Sequence, residues 1–129
     1  MNRKLETIKA LNEWQKRDFS YGDADCCQFV SSIIIHMGGP DYSAGWCYNS
    51  ENDASEIIKK HGSLLGLAIH ILGTPSEKIL DGDPVLCNIP TIGEVMGVYF
   101  DKSVICLTAK GMTRIKTKYI IHGWSVCLK

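Results

Sequence analysis

Asp25-Cys26-Cys27-Gln28-Phe29-Val30 decides how this chain is read, because a cysteine stands there at the point where a polar turn gives way to an apolar run. The turn is Tyr21-Gly22-Asp23-Ala24, and the apolar run extends from Phe29 to Met37. The pattern predicts a helix from about Asp25 to Met37, stopped by Gly38-Gly39-Pro40. Backbone N–H groups in the first turn of a helix lack intrahelical partners, and the helix dipole there favours a thiolate over a thiol. Cys26 is therefore a candidate nucleophile, if the rest of the chain supplies a base. Asp23 and Asp25 read most simply as capping residues.

Before that helix, Leu5 to Arg17 is expected to be amphipathic, with Leu5, Ile8, Leu11 and Trp14 on one stripe. After it, Asp41 to Asn49 forms an aromatic loop carrying Tyr42, Trp46 and Tyr48. Ser50 or Asn52 can cap a third helix over Ala54 to Lys60, and Ser63 to Leu72 gives a fourth. Past Gly73-Thr74-Pro75 the texture changes to strands. Asp81-Gly82-Asp83 turns into Pro84–Cys87, Ile89 to Gly93 is a loop, and Val95–Phe100 and Ser103–Thr108 form a hairpin about Asp101-Lys102. A further strand is predicted from Gly111 through Tyr119, in which Arg114, Lys116 and Lys118 alternate with Ile115, Thr117 and Tyr119 and make a solvated face. The last strand, Ile120 to Leu128, carries Trp124. Helices first and an antiparallel sheet after them is the α+β pattern, and 129 residues make one domain over 1–129.

Lysine plus arginine equals aspartate plus glutamate at 14 each, so no net field steers the chain towards nucleic acid, which is not expected as a partner. The apolar stretches near Phe29–Met37 and Leu64–Leu72 are too short to span a bilayer. Met1-Asn2-Arg3-Lys4-Leu5-Glu6 turns amphipathic at once without a signal-peptide core, so synthesis in a reducing cytoplasm is expected. Six cysteines do not read as a disulfide framework: Cys26 and Cys27 are adjacent, while Cys87, Cys106 and Cys127 lie inside apolar runs where a thiol acts as a small hydrophobe. No C-x-x-C or H-x(3–5)-H pair occurs, so neither a metal site nor a cofactor is expected.

The order of motifs resembles the NlpC/P60 branch of the papain-like fold. Asp25-Cys26-Cys27-Gln28-Phe29-Val30 matches four of six positions of that family's Asp-Cys-Ser-Gly-Phe-Val nucleophile motif, and Gly82-Asp83-Pro84-Val85 matches its Gly-Asp-Leu-Val. The family's His-Val-Gly-Ile-Tyr, whose histidine is the general base, corresponds to Val95-Met96-Gly97-Val98-Tyr99, so Val95 occupies the base position. A family of small proteins encoded among the tail genes of phages and prophages is similar over nearly the whole chain. The matching features are Trp14, Phe19-Ser20-Tyr21-Gly22-Asp23-Ala24-Asp25-Cys26, Gly39-Pro40-Asp41, Gly82-Asp83, Met96-Gly97-Val98, Gly111 and Trp124. The resemblance implies a papain-like, NlpC/P60-type domain in which the Cys26 helix packs on a small antiparallel sheet. It further implies a phage tail or tail-assembly component.

A base for Cys26 has four histidine candidates. His36 ends the same helix, roughly 15 Å from Cys26 at 1.5 Å per residue, and cannot serve. His61 and His70 flank helices that the family places on the outer side. His122 shares a strand face with Trp124 and Val126 and is the best remaining candidate, although a packed histidine fits the same pattern. Glu94, beside the base position, is ill matched to a thiol. Trp14 and the aromatic loop fit either a protein interface or packing on their own helices.

The expected function is a catalytically degenerate tail-tip or tail-assembly protein. It is made in the host cytoplasm, resides in the virion tail, and contacts hub, tip or fibre proteins. The alternative is an active cysteine peptidase or amidase that cuts peptidoglycan stem peptides during phage entry, with Cys26 as nucleophile and His122 as base. A thiol acyl-transfer or redox role for Cys26-Cys27 is disfavoured, since adjacent cysteines on a helix form a disulfide only with strain.

Overall fold

A computed structural model describes residues 3–15, 26–36, 38–39, 51–90, 92–108 and 111–125, with the backbone alone at 26 and 51–54. The fold is α+β: four helices precede a five-stranded antiparallel sheet. The helices are α1 (Arg3–Trp14), α2 (Cys26–His36), α3 (Glu51–Lys60) and α4 (Leu64–Leu72). The strands are β1 (Pro84–Ile89), β2 (Gly93–Phe100), β3 (Ser103–Thr108), β4 (Gly111–Ile115) and β5 (Ile120–Gly123), in the spatial order β4-β3-β2-β1-β5.

Helix α1 buries Thr7, Ala10, Leu11 and Trp14, so it is rotated from the expected stripe: Leu5 and Ile8 stay exposed. The rotation follows from what holds the helix. Small Thr7 and Ala10 sit inward, and Trp14 stacks edge-on against Phe29 of α2 at 5.5 Å between ring centroids. Trp14 also donates its indole N–H to Ser32 Oγ at 3.0 Å, which leaves it packed rather than presented to a partner. Helix α2 ends as its glycines predict. Gly38, at φ 91°, donates to Ile35 O, and Gly39 donates to Ile34 O, the paired bonds of a glycine-capped terminus. Ser63 caps α4, its Oγ accepting from Gly66 N–H.

Strands β2 and β3 join through Asp101-Lys102, both at positive φ (49° and 60°), the geometry whose twist matches a two-residue hairpin. The expected strand from Gly111 to Tyr119 is corrected: it stops at Ile115 and Thr117–Tyr119 form a 3-10 turn. The cause is topological. β4 is one edge of the sheet and β5 the other, so the chain between them must cross a sheet face and cannot stay extended. The crossing packs against β1 on the face away from the helices.

That crossing gives the sheet two cores. On the helix side, Leu86, Met96, Val98, Phe100, Ile105 and Leu107 pack with Phe29, Ile33 and Ile34 of α2. On the other side, Val85, Cys87, Val95, Val104, Cys106 and Ile115 pack beneath Ile79, Tyr119 and Ile120. Both faces of β1–β3 are therefore buried.

Candidate functional site

The candidate site is built around the start of α2. The helix begins at Cys26, so this residue occupies the first turn, where orphan N–H groups and the helix dipole act. Its side chain, the expected caps Asp23 and Asp25 and the aromatic loop with Tyr42, Trp46 and Tyr48 lie outside the described residues. The same holds for Ser50, for the side chain of Asn52, and for Cys47, Val126 and Cys127. Cys27 is half-buried and lines a cavity of ≈ 40 Å³ between α2 and α4, together with Val30, Leu64, Leu67, Ile71 and Met96. The wall is almost wholly apolar, so that thiol acts there as a packing group.

Helix α2 lies over β2 and β3. Along β2, Met96, Val98 and Phe100 face the helices, whereas Val95 faces the second core. Val95 pairs with Cys87 across the β1–β2 ladder and is 8 % exposed. A side chain at position 95 thus points away from α2, with the sheet between them. Glu94, of the opposite parity, is exposed at the strand's start beside Asn88.

His122 pairs with Leu86, whose side chain belongs to the helix-side core, so the β5 histidine shares that sheet face. β1 separates β5 from β2, which places roughly 10 Å of sheet between the histidine's strand and the strand beneath α2. Trp124, beyond His122 and past the end of β5, is 1 % exposed and donates its indole N–H to Gly73 O at 2.9 Å. This bond ties the end of α4 to the end of the sheet.

The other histidines have structural partners. His36 Nε2 lies 3.3 Å from Glu6 Oε2, linking the end of α2 to α1. His61 and His70 stack on each other, ring centroids 4.5 Å apart, across the α3–α4 junction. Among the described residues no three His, Cys, Asp or Glu side chains are placed to hold a metal ion.

The Gly82-Asp83 motif is structural. Asp83 is fully buried; its Oδ1 accepts from Arg3 Nη2 at 2.6 Å and its Oδ2 from Leu80 N–H at 2.9 Å. Arg3 Nε also donates to Asp81 O, so the first residue of α1 clamps the turn that launches β1. Gly97 in the Met96-Gly97-Val98 match has a similar role. A Cβ there would meet Val104 Cγ1 at 2.6 Å and Cys106 Sγ at 2.7 Å, so only glycine fits between β1 and β3 on that face.

Sequence reasoning missed a basic corner. Lys102, Arg114, Lys116 and Lys118 line an open groove of ≈ 610 Å³ with Ser103 and Thr117. The alternating basic residues were the visible signal, but the turn after Ile115 and the folding back of Lys102 beside them were not.

A family model described as a domain of unknown function, DUF6950, matches residues 2–126. No curated protein matches the chain. No helix among the described residues is long and apolar enough to cross a membrane.

Proposed function

The chain belongs to the DUF6950 family, whose description carries no activity, and from its own residues we propose a phage tail-tip or tail-assembly component that acts by protein–protein contact. On this reading the domain is a catalytically degenerate member of the papain-like, NlpC/P60-type fold, made in the host cytoplasm and carried in the virion tail. Its partners are the hub, tip or fibre proteins. The supporting observation is the face of β2 beneath α2: the residues that face the helices there, Met96, Val98 and Phe100, are apolar, and Val95, aligned with the peptidase base, lies on the other face. A thiol without a base is a poor nucleophile at neutral pH. Two further motif residues have structural duties, with Asp83 clamping α1 and Gly97 admitting Cys106.

The test is immunoblotting and mass spectrometry of tail particles induced from a strain that encodes the chain. Its presence in purified tails, with a cross-link to another tail protein, is the expected result. Its absence from every tail fraction would sink the reading.

A second reading, an active peptidoglycan peptidase or amidase, draws on two observations: α2 begins at Cys26, and His122 lies on the helix side of the sheet. Release of muropeptides from purified peptidoglycan that disappears in Cys26→Ala and in His122→Ala would establish it and overturn the degenerate reading.

A further inference from the structure

We propose that the corner between the β2–β3 turn and the β4-to-β5 crossing is a docking groove for an extended, acidic segment of a partner protein. The inference rests on the reading that the chain works by protein–protein contact, and names the surface that makes it. Four cations line the groove, Lys102, Arg114, Lys116 and Lys118, and no carboxylate does. The whole chain is formally neutral, so these four charges are a local concentration rather than a reflection of composition. Asp101, beside Lys102 in the β2–β3 turn, is engaged elsewhere, with Lys4 Nζ 3.1 Å from its Oδ1. Among the described residues none of the four cations has a carboxylate within ion-pair distance.

Two of the cations are held in place. Arg114 Nη1 donates to Ser103 Oγ at 2.7 Å, and Ser103 Oγ donates in turn to Phe100 O. The guanidinium is thus oriented with most of its fork of N–H groups still available to a carboxylate. Lys118 Nζ stands 5.1 Å from the centroid of the Tyr119 ring, which fixes its direction.

The strand that brings Arg114 and Ile115 to the groove decides the occupant. β4 is the terminal strand of the sheet and pairs only with β3 among the described residues, so no described strand takes up its second row of backbone N–H and C=O groups. An extended peptide can add to such an edge by main-chain hydrogen bonds while its side chains reach the flanking groups. A nucleic acid cannot use that edge, and among the described residues the groove lining carries no aromatic ring on which a base could stack.

The test is fluorescence anisotropy with the full chain and a labelled eight-residue peptide of alternating glutamate and threonine. The comparison probes are its glutamine analogue, the same peptide N-methylated at alternate residues, and an oligothymidylate of equal charge. The acidic peptide is expected to bind, to weaken as sodium chloride rises, and to lose about tenfold or more in affinity in Lys102→Glu/Lys116→Glu/Lys118→Glu. The N-methylated probe is expected to bind more weakly than its parent. The triple variant's circular dichroism must match the native chain, and Lys102→Gln/Lys116→Gln serves if charge reversal disturbs folding. Equal binding of the glutamine analogue, no binding of the acidic peptide, an unaffected variant, or tighter binding of the oligonucleotide overturns the proposal. Undiminished binding of the N-methylated probe overturns the strand addition. A chain found in tails that binds no acidic peptide fails only here, whereas peptide binding by a chain absent from tails fails only the proposed function.

Discussion

Arg3 and Asp83, 80 positions apart in the chain, meet at 2.6 Å between guanidinium Nη2 and carboxylate Oδ1. The Asp83 side chain is 1 % exposed and the Arg3 side chain 24 %, and the pair joins the first helix to the turn before the first strand. Removing one partner strands the other. Arg3→Leu leaves a buried carboxylate without its ion-pair partner and is expected to cost about 3 kcal/mol. The double variant Arg3→Leu/Asp83→Leu should recover part of that loss, because no buried charge remains. Urea unfolding measures both, and a lowered midpoint with unchanged slope is the expected outcome.

Gly97→Ala is the sharpest packing test. The added methyl would stand at 2.6 Å from Val104 Cγ1 and 2.7 Å from Cys106 Sγ, both side chains wholly buried. Overpacking of this kind costs about 1–3 kcal/mol. Cys106→Ala in the same chain should return a share of the loss by vacating one of the two clashes. Thermal unfolding of the single and double variants gives the coupling energy directly.

Cys106 acts on Cys87 as well as on Gly97. Its thiol hydrogen bond lowers the Cys87 pKa from the ordinary 9.0, against burial, which pushes it up. β2 runs between their strands, roughly 10 Å from Cα to Cα, too far for a disulfide. Cys106→Ala removes the lowering influence and leaves the raising one, so the Cys87 pKa should rise. The consequence for stability has a definite sign. A thiol whose folded pKa is depressed contributes stability above its unfolded pKa and loses it as pH falls through the folded value. The gap between native chain and Cys106→Ala should therefore widen as pH climbs to 9.0 and beyond. Unfolding curves recorded across that range read it, and a gap constant with pH would contradict the coupling.

Helices α2 and α4 and the β2–β3 hairpin were legible because their signals are local. Gly38 and Ser63 mark ends by their own chemistry, and Asp101-Lys102 leaves two residues between apolar runs. The side to which Val95 points was not legible. Strand β2 is apolar on both faces, so its sequence has no alternation to distinguish the face beneath α2 from the face beneath the crossing. Motif alignment gave Val95 a position but not a direction. The break after Ile115 was hidden for a related reason: Arg114, Lys116 and Lys118 keep a strand-like rhythm, and only the need to reach the opposite sheet edge bends the chain there. The rotation of α1 was set by Trp14 packing on Phe29, a contact no local window contains.

Lys102 combines two properties that one substitution can separate. It sits at φ 60° in the β2–β3 turn, a region that costs a non-glycine residue of order 1 kcal/mol, and it contributes a cation to the basic groove. Lys102→Gly relieves the backbone and deletes the charge. The expected result is a gain of about 0.5–1 kcal/mol in stability, seen as a rise of a few degrees in the melting temperature, together with weaker binding of the acidic peptide. Lys102→Gln deletes the charge without relieving the backbone, so it should weaken binding with no gain in stability. If both variants bind the peptide as the native chain does, Lys102 serves the turn alone and the groove is built by Arg114, Lys116 and Lys118. If Lys102→Gly melts lower than the native chain, the Lys102 side chain holds the hairpin more strongly than its backbone geometry strains it.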